Sequence, residues 1–223
     1  MKKQLLLGLA LTASNCALFA SLELPAQAKC VKNPFTGKQV CNIKDLDPTP
    51  GIPGSAEVAE KLWGTAGRVA YPAAAETMRA KNAGRPAKGL SSAHKRLLKA
   101  RYGGIVDNVR VVYNATTMDK WCALGKCVQA GGVESAAQTY GNIVYVTGSE
   151  RPSDINQFLL LAHELKHVQQ QKGRLDTFGY DYFKAYKQAG QNYANNRMEQ
   201  EAEAERGWFA QRVICPSTGC QWR

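Results

Sequence analysis

The 223 residues carry 29 Lys+Arg against 18 Asp+Glu, a formal charge of +11, and 44% are hydrophobic. That length supports one domain with a real core and a short appendage, and excludes a second large domain. The basic balance favours anionic surroundings such as cell-wall polymers, lipid head groups or nucleic acid, although no specific nucleic-acid partner is expected; charge of this kind speaks to association rather than to fold or chemistry.

Residues 1–28 read as a signal peptide. Lys2 and Lys3 precede an apolar run from Leu5 through Ala20, and Ala26-Gln27-Ala28 is a small-x-small cleavage site. The alternative is an uncleaved anchor from Leu5 to Leu24. Cleavage would remove Lys2, Lys3 and Glu23, leaving 27 basic against 17 acidic residues and a charge of +10. The expected product is exported, periplasmic or secreted, without a further transmembrane segment, and an anionic cell-envelope surface is a candidate partner. Of seven cysteines, Cys16 leaves with the signal. The remaining even set suits an oxidising compartment, and proximity couples Cys30 with Cys41, Cys122 with Cys127, and Cys215 with Cys220. A four-thiolate zinc site built from the two C-x-x-x-x-C units is the rival.

Residues 29–54 are expected to form a disulfide-closed loop around Thr36-Gly37 and then a Pro/Gly linker from Asp47 to Gly54. Residues 55–223 form the main domain. Ala56 to Val69, Ala73 to Asn82 and Ser92 to Tyr102 are rich in helix formers, and Gly103-Gly104 stops the third. Asn108 to Tyr113 and Gly141 to Thr147 then read as two strands of a small sheet. Asp154 is a candidate N-cap, with Gln157 completing a capping-box pattern, for a helix that runs to about Gln171 and ends at Lys172-Gly173. Helices near Tyr180 to Gln188 and Tyr193 to Val213 follow. The fold class is α+β, mainly helical, with the small sheet before the helix of residues 154–171.

That helix contains His163-Glu164-Leu165-Lys166-His167, an H-E-x-x-H pattern. Residues four apart differ by about 40° in azimuth, so both imidazoles leave one face and each can give a nitrogen to one zinc ion. Glu164, turned by about 100°, can reach a water beside the metal and act as general base. The unbroken apolar run Phe158 to Ala162 marks the helix as buried, where an unpartnered His-Glu-His cluster would be costly. A catalytic zinc takes a third protein ligand. No histidine follows His167, whereas Glu199, Glu201, Glu203 and Glu205 lie on one predicted helix. Glu199 and Glu203 share one face, Glu201 and Glu205 another. Glu199 is the preferred ligand, with Glu203 orienting an imidazole, and Glu201 is the alternative ligand. Candidate donors to a developing oxyanion are His94, Tyr140 and Tyr193, although His94 beside Lys95 and Arg96 also reads as a surface residue.

The stretch from Leu160 to Gln170 resembles the L-L-A-H-E-L-T-H-V-V-Q-Q signature of the metallopeptidase family of the extracellular contractile injection system core domain. Val109-Arg110-Val111 with Tyr113 and Ala115, and then Gly141-Asn142-Ile143-Val144, resemble the family's upstream elements, so the likeness covers residues 88–172. Glu199-Gln200-Glu201-Ala202-Glu203 resembles the E-x-E-A-D element of gluzincins, in which the first acid binds zinc and the last supports a histidine. Lys166 departs from the usual Thr, and the Cys122 to Cys127 insertion interrupts the approach to the second strand. The resemblance implies a zincin-like zinc metallopeptidase acting on a protein or peptide substrate. Two rivals are a zinc-holding binding module without turnover and a cell-wall peptide amidase.

Overall fold

The computed structural model describes residues 54–118 and 136–223, with the backbone alone at 31–32, 39–40, 120–123 and 126–129. In chain order the elements are β1 (Val31–Lys32), β2 (Gln39–Val40), α1 (Ser55–Lys81), β3 (Ala87–Gly89), α2 (Ser92–Tyr102), α3 (Ile105–Asn108), β4 (Arg110–Val112), β5 (Lys120–Ala123), β6 (Lys126–Gln129), β7 (Ala137–Tyr140), β8 (Ile143–Val146), α4 (Ile155–Gln171), α5 (Leu175–Gln188), α6 (Arg197–Ala210), β9 (Val213–Ile214) and β10 (Gln221–Trp222). The architecture is α+β, mainly helical with a small central sheet.

That sheet has the order β3-β4-β8-β7. Only β4 and β8 run parallel, in the register Val111↔Val144; β3 and β7 are antiparallel edges. Successive residues of β8 enter different cores. Val144 and Val146 pack with α2, α4 and the aromatic end of α6, whereas Tyr145 packs with α1 and α5. Burial on both faces explains why Ile143-Val144-Tyr145-Val146 is continuously apolar instead of alternating. The short edges β3 and β7 carry no comparable β-branched run, and sequence reading missed both.

Three helices differ from expectation. The two helices placed at residues 56–69 and 73–82 are one, α1, which continues through Pro72. Proline costs about 3 kcal/mol in a helix interior by removing a donor to the carbonyl four residues back. Here that carbonyl belongs to Arg68, on the exposed side where water can reach it, while the opposite face is anchored along its length against α5. Helix α5 starts at Leu175 rather than Tyr180, and α6 spans 197–210 rather than 193–213 because Asn196 caps it, accepting from Met198 N at 3.1 Å.

The crossing of α1 and α5 depends on two glycines meeting backbone to backbone. A Cβ on Gly67 would lie 2.2 Å from the Gly179 carbonyl oxygen, and one on Gly179 would lie 2.3 Å from that of Gly67. Gly179→Ala is therefore expected to destabilise the protein by about 1–3 kcal/mol through overpacking, although the same change at an open helical position stabilises by about 1 kcal/mol. Thermal unfolding checks the sign: a midpoint unchanged or raised would contradict the close crossing.

Cys215 and Cys220 form a disulfide that closes the turn between β9 and β10. The signal segment 1–28, Cys30 and Cys41 lie outside the described residues, as do the side chains of Cys122 and Cys127, whose backbones face one another in the β5–β6 register. Among the described residues no helix is long and apolar enough to cross a membrane.

Candidate metal centre

Helix α4 begins and ends where its sequence signals lie. Asp154 Oδ1 accepts from Asn156 N at 2.8 Å and Gln157 N at 3.3 Å, and Lys172 and Gly173 take the left-handed conformation that stops it. The Gln157 amide turns back to Arg151 N rather than to the Asp154 amide, so the box closes one turn earlier than expected. Between these ends the helix is buried, and His163, Glu164 and His167 are each less than a tenth exposed.

Helix α6 lies antiparallel against α4, because position 203 meets 163, 199 meets 167, and 198 meets 170. This brings Glu199 to the two histidines. His163 Nε2 and His167 Nε2 are 3.2 Å apart, and Glu199 Oε2 is 3.3 Å and 3.4 Å from them. The three donors make a nearly equilateral triangle. Glu199 Oε2 is fully buried, yet neither imidazole is aligned to hydrogen-bond to it. A buried carboxylate oxygen without a hydrogen bond calls for another partner, and two imidazoles with one carboxylate are a donor set that could hold a metal ion.

The surroundings orient each ligand. Gln170 donates from Nε2 to Met198 O at 3.0 Å and to Glu201 Oε2 at 3.1 Å, which turns its Oε1 toward His167 Nδ1 at 2.8 Å. That nitrogen therefore carries a proton, so Nε2, on the side of the triangle, is the nitrogen that would take a metal once its own proton has left. Tyr182 donates to Glu199 Oε1 at 2.6 Å, which leaves Oε2 to face the histidines. Thr139 of β7 donates to Glu164 Oε2 at 2.6 Å.

The four carboxylates of α6 divide by face. Glu199 is in the triangle, and Glu203 Oε1 lies 3.2 Å from His163 Nδ1, close but not aligned as a hydrogen bond. Glu201, the alternative ligand, turns away to Gln170, Arg197 and Lys166, and Glu205 accepts two bonds from Arg101 at 2.7 and 2.8 Å. Lys166 itself is partly buried rather than free in solvent. Of the three oxyanion candidates, Tyr193 lies close enough to the cluster for partial burial and then the Glu199 carboxylate to hold its phenol well above the ordinary value, although the residue as a whole is 41% exposed. Tyr140 packs on Tyr71 and Tyr145 in the sheet core. His94 is neither near the triangle's donors nor on the surface: it is buried, with Nε2 3.0 Å from Pro152 O and its ring against Phe158.

Sequence reading missed Tyr182, Gln170 and Thr139. Gln170 was within reach, since a polar residue three positions after His167 shares its helical face; the other two come from elements whose placement no local pattern encodes.

The cluster also couples metal to proton. Burial disfavours charge on His167, but the Glu199 carboxylate outweighs it and raises the pKa from 6.5 to about 9 in the metal-free protein. Against its own burial, Glu199 is held well below the carboxylate range by His167 and His163. Because the folded value exceeds the unfolded one, the pairing stabilises fully below about pH 6.5 and is lost as pH rises through about 9. A metal ion must expel that proton. Apparent metal affinity is expected to rise about tenfold per pH unit toward about pH 9 and then level off. Competition against a chromophoric chelator measures this, and a flat affinity from about pH 6 to 8 would contradict it.

No curated protein and no solved structure matches the chain. Residues 89–175 match the model of the eCIS core domain, a segment that runs from the end of β3 through the whole of α4 and so holds His163, Glu164 and His167, but not Glu199.

Proposed function

We propose that the chain is an exported zinc metallopeptidase of zincin-like, gluzincin type that hydrolyses peptide bonds in a protein or peptide substrate. The observation that carries this reading is the size of the donor triangle. Four ligands at about 2.0–2.1 Å in a tetrahedron are about 3.3–3.4 Å apart, and the three distances here are 3.2, 3.3 and 3.4 Å. Among the described residues this group offers three corners, and a fourth taken by water would give the arrangement of catalytic rather than structural zinc sites. Zinc bound there would supply a Lewis acid and a water of lowered pKa.

The chain's own groups account for the rest. His163, His167 and Glu199 would hold the ion, and Gln170 and Tyr182 set the direction of two of them. Glu164 takes a proton from the attacking water and passes it to the leaving nitrogen. Tyr193, beside Glu199, would donate to charge developing on the substrate oxygen.

Metal analysis of the chain combined with hydrolysis assays tests the reading. One zinc per chain and zinc-dependent cleavage of casein are expected. Cleavage of purified sacculi without casein would assign the chemistry to cell-wall peptides, in keeping with the basic charge of +10 expected after signal cleavage. Bound zinc with inactivity on both would make the chain a non-catalytic zinc module.

A further inference from the structure

We propose that Thr139 is a positioning residue for the general base: its hydroxyl holds the Glu164 carboxylate in the orientation that receives the proton. This rests on the peptidase reading of Glu164.

The Thr139 Oγ1 to Glu164 Oε2 separation is 2.6 Å, and both residues are buried. An ionised carboxylate can only accept, so the hydroxyl donates, and a bond this short to a charged acceptor is of the strong, charge-assisted class. It engages one oxygen and leaves the other for the proton in transfer.

The donor is itself immobilised from three sides. Thr139 is β-branched and so stiff at χ1. Its strand is paired to β8 in the register Thr139↔Val144. Its carbonyl, on the outer edge of β7, accepts from Tyr71 Oη at 2.7 Å and from Gln171 Nε2 at 3.1 Å. The same Gln171 amide accepts from Gly141 N at 2.6 Å. Gln171 therefore pairs with β7 as a neighbouring strand would, while belonging to the helix that carries Glu164. One side-chain amide locks strand to helix, and the Thr139 hydroxyl is fixed relative to the carboxylate it serves. A threonine needed only to satisfy a buried carboxylate would not require this framing; a preorganised donor does.

The test compares Thr139→Val, Thr139→Ala and Thr139→Ser in the full chain. In the metal-free protein labelled with 13C-glutamate, the Glu164 carboxylate carbon, assigned by its loss in Glu164→Gln, is expected to shift in the Val and Ala variants and to keep its position in the Ser variant. In the zinc-loaded protein, kcat is expected to fall about 10–100-fold in the Val and Ala variants with KM changed less than about twofold, and to recover in the Ser variant. An unmoved carbon resonance in Val and Ala, a kcat close to wild type, or a Ser variant that restores neither readout would overturn the proposal. If the wild type cleaves nothing, the peptidase reading falls, and the carbon resonance of the metal-free protein alone decides whether Thr139 positions Glu164. The Ala variant covers the case in which Val at this packed site prevents folding.

Discussion

Glu164→Gln is expected to lower kcat on any cleaved peptide by about 10²–10⁴-fold while the chain still binds one zinc per molecule. The substitution keeps the volume of a side chain that is buried beside both histidines. It also keeps an acceptor for Thr139, because the amide oxygen can take the hydroxyl bond now made by Oε2 at 2.6 Å. What it removes is the capacity to accept a proton from water. Since Glu164 is not one of the three donors of the triangle, metal content should stay within error of wild type. An active Glu164→Gln enzyme would sink the general-base role, and loss of zinc in this variant would place Glu164 among the ligands. A binding module that never turns over substrate would show no functional change.

The second large effect concerns Glu199. Glu199→Ala is expected to weaken zinc binding by more than about 100-fold, beyond the 10–100-fold range typical of residues that only orient a ligand. Two imidazoles from one helix then remain, and Tyr182 loses the acceptor now 2.6 Å away. Glu201→Ala supplies the contrast. Its carboxylate touches Gln170, Arg197 and Lys166 and no imidazole, so its removal is expected to cost at most about tenfold, through looser orientation of Gln170 and hence of His167. Isothermal titration of the metal-free proteins measures both. Equal losses, or a larger loss in Glu201→Ala, would mean that the wrong carboxylate of α6 has been named.

Much of the machinery was legible because its signals are local. Spacing of four on a helix places His163 and His167 on one face whatever surrounds them, and Asp154 and Lys172-Gly173 bound that helix by backbone chemistry within a few residues. The pairing of Glu199 with Glu203 on one side of α6, and of Glu201 with Glu205 on the other, is the same periodicity. Local reasoning fails where packing outweighs propensity. Pro72 reads as a break, yet α1 runs through it because its buried face is held against α5. His94 reads as a surface residue beside Lys95 and Arg96, yet it is buried against Phe158 with its ring at Pro152.

The amino-acid sequence by itself determined the helix that bears His163, Glu164 and His167, the residue types able to complete a metal set, and the α+β character of the chain. Helical periodicity, capping and composition act over a few residues and need no partner. Only the tertiary structure decided which α6 carboxylate meets the histidines, that Tyr182 and Gln170 aim the ligands, and that Thr139 reaches Glu164 from a strand 25 residues earlier. The ligand contacts depend on the packing of α6 and α5 beside α4, and the Thr139 contact on the packing of α4 against β7, which are settled by shape and burial across elements distant in the chain.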